Sequence, residues 1–567
     1  MAIQSEKHRN MTETAAKSIC ESSTCMEHVL LLNKGFSIQE KFKTCCKMRR
    51  VKNKGAITVL VLNYLVMNAL LLLVSFVAKN YDLPNQVWLP MLTFGITTSL
   101  AGWLADAFFG RYKVIRCSVW MTWLIMVIAT VSSVVAQLED RYYKYNAKVF
   151  SVTSTLMGIG LGGFQANIIQ FGLDQLHDAS TTEITSFIIW YVWTSFNAIV
   201  VVEFNCFCLN EQYKLSIHLF TCANLTLAVI LLICCNHWLV KEPAAQNPFK
   251  LVYKVIKYAI KTKHPRYRSA FTYCEDDLPS RIDFGKTKYG GPFTTEQVED
   301  VKTFLRLLPL IITSGVMAGG IFPIFSLFQA LRRQYTRLDK SNMKHSLITC
   351  YSEADFTHTT YLCGTILIVL HELLIYPVFN RCYPRIKSLS KVIIGVFLQI
   401  ARVIVLMVID IVSRHVYLEN NGYNATIQCL FYERRGTLSS SFSYHWLALP
   451  NFLQSISILF IVIGVTEFIS AQVPYYMKGL IIGLLYSLTL FAAASGLPIQ
   501  ILFSHKLSIW GTGTISCGFW YGLLIVVVEL SICAALLLLT RWYKRRKRED
   551  VLPNEHFFAE RYYSNNM

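Results

Sequence analysis

Amide, acidic and basic side chains inside long apolar runs are the residues of this sequence that could carry chemistry. Gln165 lies in GIGLGGFQANIIQFGLDQL (158–176), with Asn167 and Gln170 close by and no charge before Asp174. A neutral amide can donate and accept hydrogen bonds, but it cannot act as a cationic anchor. Because the three amides point in different directions around a helix, at most one or two of them can face a polar cavity.

Titratable residues lie in other apolar runs. His371 and Glu372 are adjacent and combine a group that titrates near neutral pH with a carboxyl group, which predicts a proton-binding site. The alternative is that Glu372 pairs with a basic residue of a neighbouring helix. Glu467 lies near a helix end beside Lys478, which favours a salt bridge at a gate over contact with a substrate. Two further charges lie eight residues apart on one face and favour a structural role: Arg402 and Asp410.

Membrane-spanning helices must position these side chains. Hydrophobic residues make up 53% of the 567, charged residues only 16%, and the mean hydropathy is +0.40. An apolar run of about 18 residues or more predicts a transmembrane helix, since a bilayer leaves no other partner for the backbone polar groups. The sequence predicts twelve spans, at 56–78, 88–108, 113–136, 148–172, 184–208, 217–239, 303–328, 357–379, 391–412, 443–467, 476–503 and 516–540.

The net charge of +19 fits a membrane protein better than a nucleic-acid-binding one. Basic residues concentrate in the two tails and in the loops on one side of the twelve spans, although QALRRQYTRLDK after the seventh span is an exception. The positive-inside rule makes that side, with both termini, cytoplasmic. No partner nucleic acid is expected.

A polar stretch separates six spans from six. It predicts two tails (1–55 and 541–567), two six-helix bundles (56–239 and 303–540) and a cytoplasmic linker (240–302). Within the linker, VYKVIKYAIKTK predicts an amphipathic helix at the membrane interface. TTEQVEDVKTFLR predicts a helix start with Thr294 or Thr295 as its N-cap.

The loop after the second span, AGWLADAFFGRYKVI (101–115), is the most specific motif. Gly102 allows close approach of a neighbouring helix. Asp106 can accept hydrogen bonds from the N-terminus of another helix or pair with a base. Gly110 permits a tight turn, and Arg111 holds the cytoplasmic side.

The loop resembles the G-x-x-A-D-x-x-x-G-[RK]-Y-K form of the proton-coupled oligopeptide transporter family, within the major facilitator superfamily. Four further segments are similar to that family's motifs: GFQANIIQFGLDQL, FIIWYVWTSFNA, YPVFNRCYPRI and EFISAQVPYYMKG. The linker stretch RSAFTYCEDDLPSRIDFGKTKYGGPFTTEQVEDVKTFLRLLP resembles the peptide/histidine transporter branch most.

This resemblance implies an all-α membrane protein with twelve transmembrane helices, the major facilitator fold and two six-helix bundles. It implies alternating access with short peptides, histidine or both as substrate, and proton symport as the family's default. The residues that would line the substrate cavity are Tyr64, Asn68, Gln165, Asn197 and Gln329. The proton-coupling candidates remain His371, Glu372 and Glu467.

The sequence departs from the family at its usual coupling charges. The E-x-x-E-R motif of helix 1 is replaced at Val59, Leu62 and Asn63, the Lys of helix 4 by Gln165, and a Glu of helix 10 by Ile458. Three helices have thus become neutral together, which is electrostatically consistent because no partner is left as an uncompensated charge. Two other functions stay open: a proton-independent facilitator for a small solute, and a non-transporting membrane scaffold.

Several signals concern processing and location. No nucleotide-binding loop, metal cluster or nucleophile is visible, so neither enzyme activity nor a cofactor is expected. Asn424 begins a glycosylation sequon in a loop predicted to lie outside, where Cys350 and Cys429 could also form a disulfide. Glu27, Leu31 and Leu32 fit an acidic dileucine signal for sorting adaptors. The predicted location is therefore an endolysosomal membrane or the plasma membrane.

Overall fold

In the computed structural model the described part of the chain is almost entirely helical. The structure describes residues 51–79, 84–138, 142–176, 179–208, 214–244, 247–262, 280–319, 356–375, 387–421, 446, 448–506 and 517–543. The chain divides into two units, 51–366 with 386–567 and 1–50 with 367–385. All contacts between helices given below lie within the first unit, and of the second unit residues 367–375 are described.

Thirteen α-helices can be numbered along the described residues. They are α1 (Lys54–Lys79), α2 (Pro84–Leu104), α3 (Arg111–Leu138), α4 (Tyr142–Asp174), α5 (Thr181–Cys208), α6 (Lys214–Cys234), α7 (Pro248–Lys261), α8 (Thr295–Gly319), α9 (Phe356–Leu370), α10 (Ser388–Asn421), α11 (Ala448–Gln472), α12 (Lys478–Lys506) and α13 (Cys517–Trp542). Single π turns follow α2 and α9, at Ala105–Phe109 and His371–Ile375.

Each of the twelve predicted spans coincides with one of these helices, and α7 is the additional one. By length and composition, eight helices of the described chain can cross a membrane. Their outward faces are apolar. On α3, for example, Leu124, Ile128 and Val131 are exposed at helical spacing, as expected of side chains that face lipid.

Helix α4 is the most enclosed of these eight. In its most apolar 18-residue segment 83% is buried, against 33–50% of the corresponding segments in the other seven helices. Small residues explain the close packing: side chains at Gly158 and Gly162 would collide with α2, and side chains at Gly160 and Gly163 would collide with α3. Gln165, two residues after this glycine run, is therefore held on a helix with little room to move.

Helices of the two halves of the chain also pack on each other. In the first half α1 packs on α5, α6 and α4, and in the second half α10 packs on α11 and α13. Between the halves, α12 lies against both α2 and α4, and α11 lies against α5. These contacts bring polar residues of both halves together in two clusters, one around Arg111 and one around Gln165.

The described linker residues contain both predicted local elements, although a position of the first at the membrane interface stays a prediction. An amphipathic helix forms, as α7, with Asn247 as its N-cap and Pro248 in its first turn. Thr294 is the N-cap of α8: its hydroxyl accepts from the Gln297 N–H at 3.2 Å, and the Gln297 side chain accepts from the Thr294 N–H at 3.2 Å. This reciprocal pair is a capping box.

Candidate functional site: a gate cluster and a central amide cluster

A tight turn between α2 and α3 builds the first part of the site. The π turn Ala105–Phe109 ends where the N–H of Gly110 donates to the Ala105 carbonyl at 2.9 Å. Gly110 has a φ of +80°, which a residue with a Cβ adopts only with strain. A Cβ there would also lie 3.0 Å from the Glu242 carbonyl oxygen. The turn thus needs glycine, and it allows α3 to begin at Arg111.

Arg111 is the centre of a buried ion cluster, called the gate cluster here, with Asp106 and Asp174. Its Nη1 donates to Asp174 Oδ2 at 2.6 Å, and its Nη2 and Nε donate to Asp106 Oδ1 at 3.2 and 3.3 Å. Nη2 also donates to the Tyr475 carbonyl at 2.7 Å. The three charged side chains are at most 7% exposed. Each buried charge therefore has an opposite charge and a hydrogen bond.

The gate cluster joins the two halves of the chain. Asp106 Oδ2 accepts from the Leu480 N–H at 2.9 Å, in the first turn of α12, where the helix dipole favours a negative charge. The backbones of Gly102 and Gly479 are so close that a Cβ on Gly102 would collide with the Gly479 carbonyl. The end of α2 is thus fastened directly to the start of α12.

All four residues predicted for the gate loop lie together in this region: Gly102, Asp106, Gly110 and Arg111. Sequence reasoning missed the other partners. Asp174 is in the FGLDQ segment, so its charge at a helix end was a usable signal. The carbonyl of Tyr475 and the N–H of Leu480 are backbone groups, and the residue types there give no such signal.

Deeper in the same unit, Gln165 holds three helices together. Its Nε2 donates to the hydroxyl of Tyr191 on α5 at 3.1 Å and to that of Tyr486 on α12 at 2.8 Å. The Gln165 side chain is buried, and its Oε1 has no hydrogen-bond partner within the described protein. We call Gln165, Tyr191, Tyr486 and Asn63 the central amide cluster. Asn63 belongs to it because it bonds to α5 one turn after Tyr191.

Asn63 is the second buried amide of this cluster. It donates from Nδ2 to Thr194 Oγ1 at 3.0 Å and to Ser195 Oγ at 2.9 Å, which ties α1 to α5. Asn63 is one of the three positions at which the sequence resemblance led us to expect that helix-1 charges are replaced. Because the Asn63 side chain is neutral and makes hydrogen bonds to α5, this buried position needs no counter-ion, whereas a charged residue there would.

The other amides of α4 play different parts. Asn167 donates to the Gly163 carbonyl of its own helix at 2.9 Å and reaches the Ala101 carbonyl of α2 at 3.5 Å. Gln170 is fully buried, and neither of its side-chain polar atoms has a partner in the described residues. Two of the three amides thus differ in direction, since Gln165 bonds to α5 and α12 whereas Asn167 bonds to α4 and α2.

Of the remaining residues predicted for the cavity, three are described. Tyr64 and Asn197 are half-buried on α1 and α5. Asn68 is buried and donates to the Tyr64 carbonyl at 2.7 Å, a bond within its own helix. Gln329 lies outside the described residues, as do Asn424, Cys350, Cys429 and the sorting-signal residues Glu27, Leu31 and Leu32. Their predicted roles stay predictions.

The proton-coupling candidates have close partners. His371 Nδ1 lies 3.0 Å from Glu372 Oε1, and the Glu372 side chain is only 3% exposed. Glu467 accepts from Lys391 Nζ through both carboxylate oxygens, each at 2.8 Å. Glu467 therefore makes a salt bridge between α11 and α10, but its partner is Lys391 and not the neighbouring Lys478. That this salt bridge serves a gate stays a prediction.

A further buried polar cluster was missed. Glu529 of α13 accepts from Gln399 Nε2 of α10 at 2.7 Å, and Arg402 is buried one turn after Gln399. Asp410, which was expected to serve with Arg402, is buried too. A usable signal existed, because Glu529 is a lone acid in the apolar run LLIVVVELSICAALLLL, and intramembrane acids are normally kept for a reason.

Comparison with known proteins identifies the family of this chain. The family model PTR2, described as the POT family, matches residues 112–507. The chain belongs to the POT family. Within it, human solute carrier family 15 member 5 is 28% identical over 229 residues, which is 38% of each chain. The Arabidopsis thaliana protein NRT1/PTR FAMILY 6.4 is 22% identical over 520 residues, 82% of each chain.

Solved POT structures share the fold. An auto-inhibited POT family peptide transporter superposes with a TM-score of 0.57 at 17% identity, covering 88% of this chain and 99% of that one. The POT family transporter PepTSo gives 0.58 at 14% identity, covering 86% and 99%. The predicted fold class is thus confirmed: an all-α membrane protein with the twelve-helix major facilitator fold and two six-helix bundles. The low identities mark a divergent POT member.

Proposed function

We propose that this POT protein is a secondary transporter that moves short peptides, histidine or both across a membrane by alternating access, as a proton symporter. The membrane would be endolysosomal or plasma membrane, with both termini and the 240–302 linker in the cytoplasm. The two six-helix bundles at 56–239 and 303–540 would rock against each other. Residues of the central amide cluster, with Tyr64, Asn68, Asn197 and Gln329, would line the substrate site.

The gate cluster is the observation that carries this proposal. A transporter that alternates needs a contact between its halves that can be made and broken as a unit. Asp106 meets the N-terminus of α12 and Arg111 meets the Tyr475 carbonyl, so both are satisfied across the two halves. Opening on this side would separate these groups and expose them to water, which can replace each hydrogen bond. The described arrangement is therefore the gate in its closed state.

Proton coupling would fall to residues other than the family's usual charges. His371–Glu372 is the proposed proton site, because a histidine and a carboxyl group at 3.0 Å can share one proton. Glu467 is the second proposed site, with its salt bridge to Lys391 broken when the carboxyl group is protonated. The sorting signal at Glu27, Leu31 and Leu32 would direct the protein through sorting adaptors.

A proton-independent facilitator is the second candidate, and one observation favours it. Gln165 meets two tyrosine hydroxyls where the family has a lysine, so the centre offers hydrogen bonds without a cationic anchor for a substrate carboxylate. A neutral or weakly polar solute would suit such a centre. A non-transporting membrane scaffold is the third candidate, and the uptake experiment below distinguishes it from the other two.

Uptake by the full-length protein in liposomes tests these functions. Labelled dipeptide and labelled histidine are offered with and without an inward proton gradient. The proposal expects uptake that rises with the gradient. Gradient-independent uptake would support the facilitator and overturn symport, whereas neither binding nor uptake of either compound would overturn transport and leave the scaffold.

The proton site has its own variant. Glu372→Gln should abolish the gradient dependence while leaving counterflow exchange of substrate at equal pH intact. Glu296→Gln, which neutralises an exposed glutamate in the first turn of α8, is the matched control and should change neither. If Glu372→Gln retains gradient-driven uptake, His371–Glu372 is not the coupling site.

A further inference from the structure

Helix α7 has three distinct faces. Leu251, Val255 and Ala259 are buried against the rest of the protein. Phe249, Tyr253 and Ile260 lie on the far side and are exposed by 48%, 63% and 74%. A third face, about 100° around the helix from the exposed apolar one, carries four exposed lysines: Lys250, Lys254, Lys257 and Lys261.

The sequence of α7 shows why the faces separate. PFKLVYKVIKYAIK contains four lysines and no acidic residue, and they recur at intervals of three and four residues. Such spacing places them on one side of a helix. The helix therefore carries a charge of +4 in fourteen residues next to a large apolar face, the pattern of a helix that lies in a membrane interface.

Aromatic contacts join α7 to the end of α2. The ring of Phe249 meets that of Trp103 in an edge-to-face contact at 5.8 Å, and Trp103 meets Phe108 in the same way at 5.6 Å. Phe108 and Phe109 are themselves more than half exposed. These aromatic residues lie at the end of the spanning helix α2, where aromatic side chains mark the boundary between bilayer and water. The apolar face of α7 thus continues the membrane surface.

The buried face holds α7 in this position. Tyr258 packs edge-to-face on Phe293 at 6.0 Å, and Phe293 lies just before α8. Lys257 Nζ lies 5.3 Å from the ring centre of Tyr253, so one cation adjoins the exposed apolar face. A partner that covers both faces must offer apolar matter beside a layer of negative charge. A bilayer leaflet with anionic headgroups has this arrangement.

We propose that α7 is a binding site for anionic phospholipids of the bilayer in which the protein lies. Phe249, Tyr253 and Ile260 insert at the boundary of the acyl chains. The four lysines bind the phosphate and carboxylate groups of neighbouring headgroups. An acidic protein is the less suitable partner, because the exposed apolar face is continuous with the interfacial aromatic residues of α2 and a protein would have to displace lipid from it.

Native mass spectrometry of the full-length protein in detergent tests the lysine face. Phosphatidylserine and phosphatidylcholine are titrated separately, and the retained lipid is counted. The wild-type protein should retain phosphatidylserine preferentially. The quadruple variant K250Q/K254Q/K257Q/K261Q should weaken that preference by about tenfold or more. A wild-type protein with no preference would overturn the proposal.

A matched variant controls for net charge. K113Q/R281Q/K288Q/K387Q also removes four exposed basic residues, but from outside α7. It should keep most of the preference for phosphatidylserine. Equal losses in the two quadruple variants would show a diffuse charge effect and overturn a site on α7. Thermal unfolding of each variant in detergent shows that the comparison is made on folded protein.

The apolar face has an independent test. A photoreactive phenylalanine analogue in place of Tyr253 is activated with the protein in cells and in vesicles that contain phosphatidylserine. The proposal expects adducts with lipid in both. A discrete protein adduct in cells, in place of lipid, would assign the face to a protein partner and overturn the proposal.

Discussion

The gate cluster and the central amide cluster solve the same problem in opposite ways. Both place polar side chains in the interior of a membrane protein. The gate cluster uses full charges, and Asp106, Arg111 and Asp174 all have partners. The central cluster uses neutral groups, and Gln165 leaves its amide oxygen without a partner in the described protein.

The difference teaches where charge can be kept. A buried charge is tolerated only with an opposite charge and further hydrogen bonds, and removing one partner costs about 3–5 kcal/mol. An unpaired neutral polar atom costs only about 1–3 kcal/mol when buried, less than an unpaired charge, so an incompletely paired amide is tolerated. Charges are therefore kept in the gate cluster, where loop, helix end and backbone carbonyl converge, whereas the central amide cluster, where side chains of packed helices meet, contains none.

The largest effect is expected when Arg111, the cation of the gate cluster, is removed. Arg111→Met leaves Asp106 and Asp174 buried without a counter-ion, and the folded state should lose about 3–5 kcal/mol. Thermal unfolding in detergent measures this loss. The closed gate should also open, so a cysteine reagent should reach Leu480→Cys, a buried position in the first turn of α12, faster than the same cysteine in a protein that keeps Arg111.

A neutral gate is the control for this variant. Asp106→Asn, Arg111→Gln and Asp174→Asn together leave no uncompensated charge, so the triple variant should be more stable than Arg111→Met alone. If the two unfold at the same temperature, packing around Arg111 and not charge pairing stabilises the gate.

Most of the fold could be predicted from the sequence, because the signal for each span is local. Apolar runs and capping residues such as Thr294 depend on neighbours in the chain, and all twelve spans coincide with helices. The π turn at Ala105–Phe109 was not predicted, since it depends on how α2 must end to bring Asp106 against α12.

The candidate site could be predicted only in part. Gly102, Asp106, Gly110 and Arg111 form a motif in one loop, so the sequence shows them together. Tyr191 and Tyr486 are the partners of Gln165, but they come from α5 and α12 and look like ordinary apolar-run tyrosines. Which helices face Gln165 is a property of the fold. Glu529 had a signal that was overlooked.

Adding a charge to the central amide cluster tests whether this neutral site tolerates one. Gln165→Lys places a cation beside Tyr191 and Tyr486, neither of which is a carboxylate, and it should cost roughly 2.5–3.5 kcal/mol or more. Gln165→Met removes the two bonds to tyrosine and should cost roughly 1–2 kcal/mol. Thermal unfolding of the purified variants gives both values. Equal stability of the two would mean that the centre already holds negative charge.

The contact between α2 and α12 sharpens the comparison further, since it stabilises the closed gate without charge. Gly102→Ala would drive a methyl group into the Gly479 carbonyl and should cost roughly 1–3 kcal/mol of the closed state. Gly95→Ala is a matched control on the same helix, because its methyl would lie 3.5 Å from Leu490 in ordinary contact. Crosslinking between cysteines placed on α2 and α12 should fall in the first variant alone. If Gly102→Ala crosslinks as well as Gly95→Ala, the closed gate does not depend on this close approach.

The smallest effect is expected in the linker, where the buried Asp283 shares its charge among several partners. Asp283 bonds Lys286 at 2.7 Å, Lys302, and Ser280 through its N–H and hydroxyl at 2.9 and 2.7 Å. Burial alone would raise the pKa of Asp283, but these hydrogen bonds outweigh it and hold the pKa well below its usual range. A depressed pKa stabilises the fold above the unfolded value of about 4, and the contribution is lost as pH falls through the folded value.

Hydrogen exchange across residues 280–303, corrected for intrinsic rates between pH 7 and 3, measures this contribution. Asp283→Asn should lower protection at pH 7 by roughly 1 kcal/mol, and the gap to wild type should stay constant down to about pH 5. Below about pH 4 the gap should narrow, because the opened wild-type segment takes up a proton at Asp283 while the folded segment does not, and this favours opening. A gap that does not change with pH would mean that the Asp283 charge does not stabilise the linker. Because Asp283 keeps other partners when one is removed, and Glu299 of the same cluster is partly exposed, losing one partner there should cost less than at the gate, where the three charges are almost fully buried.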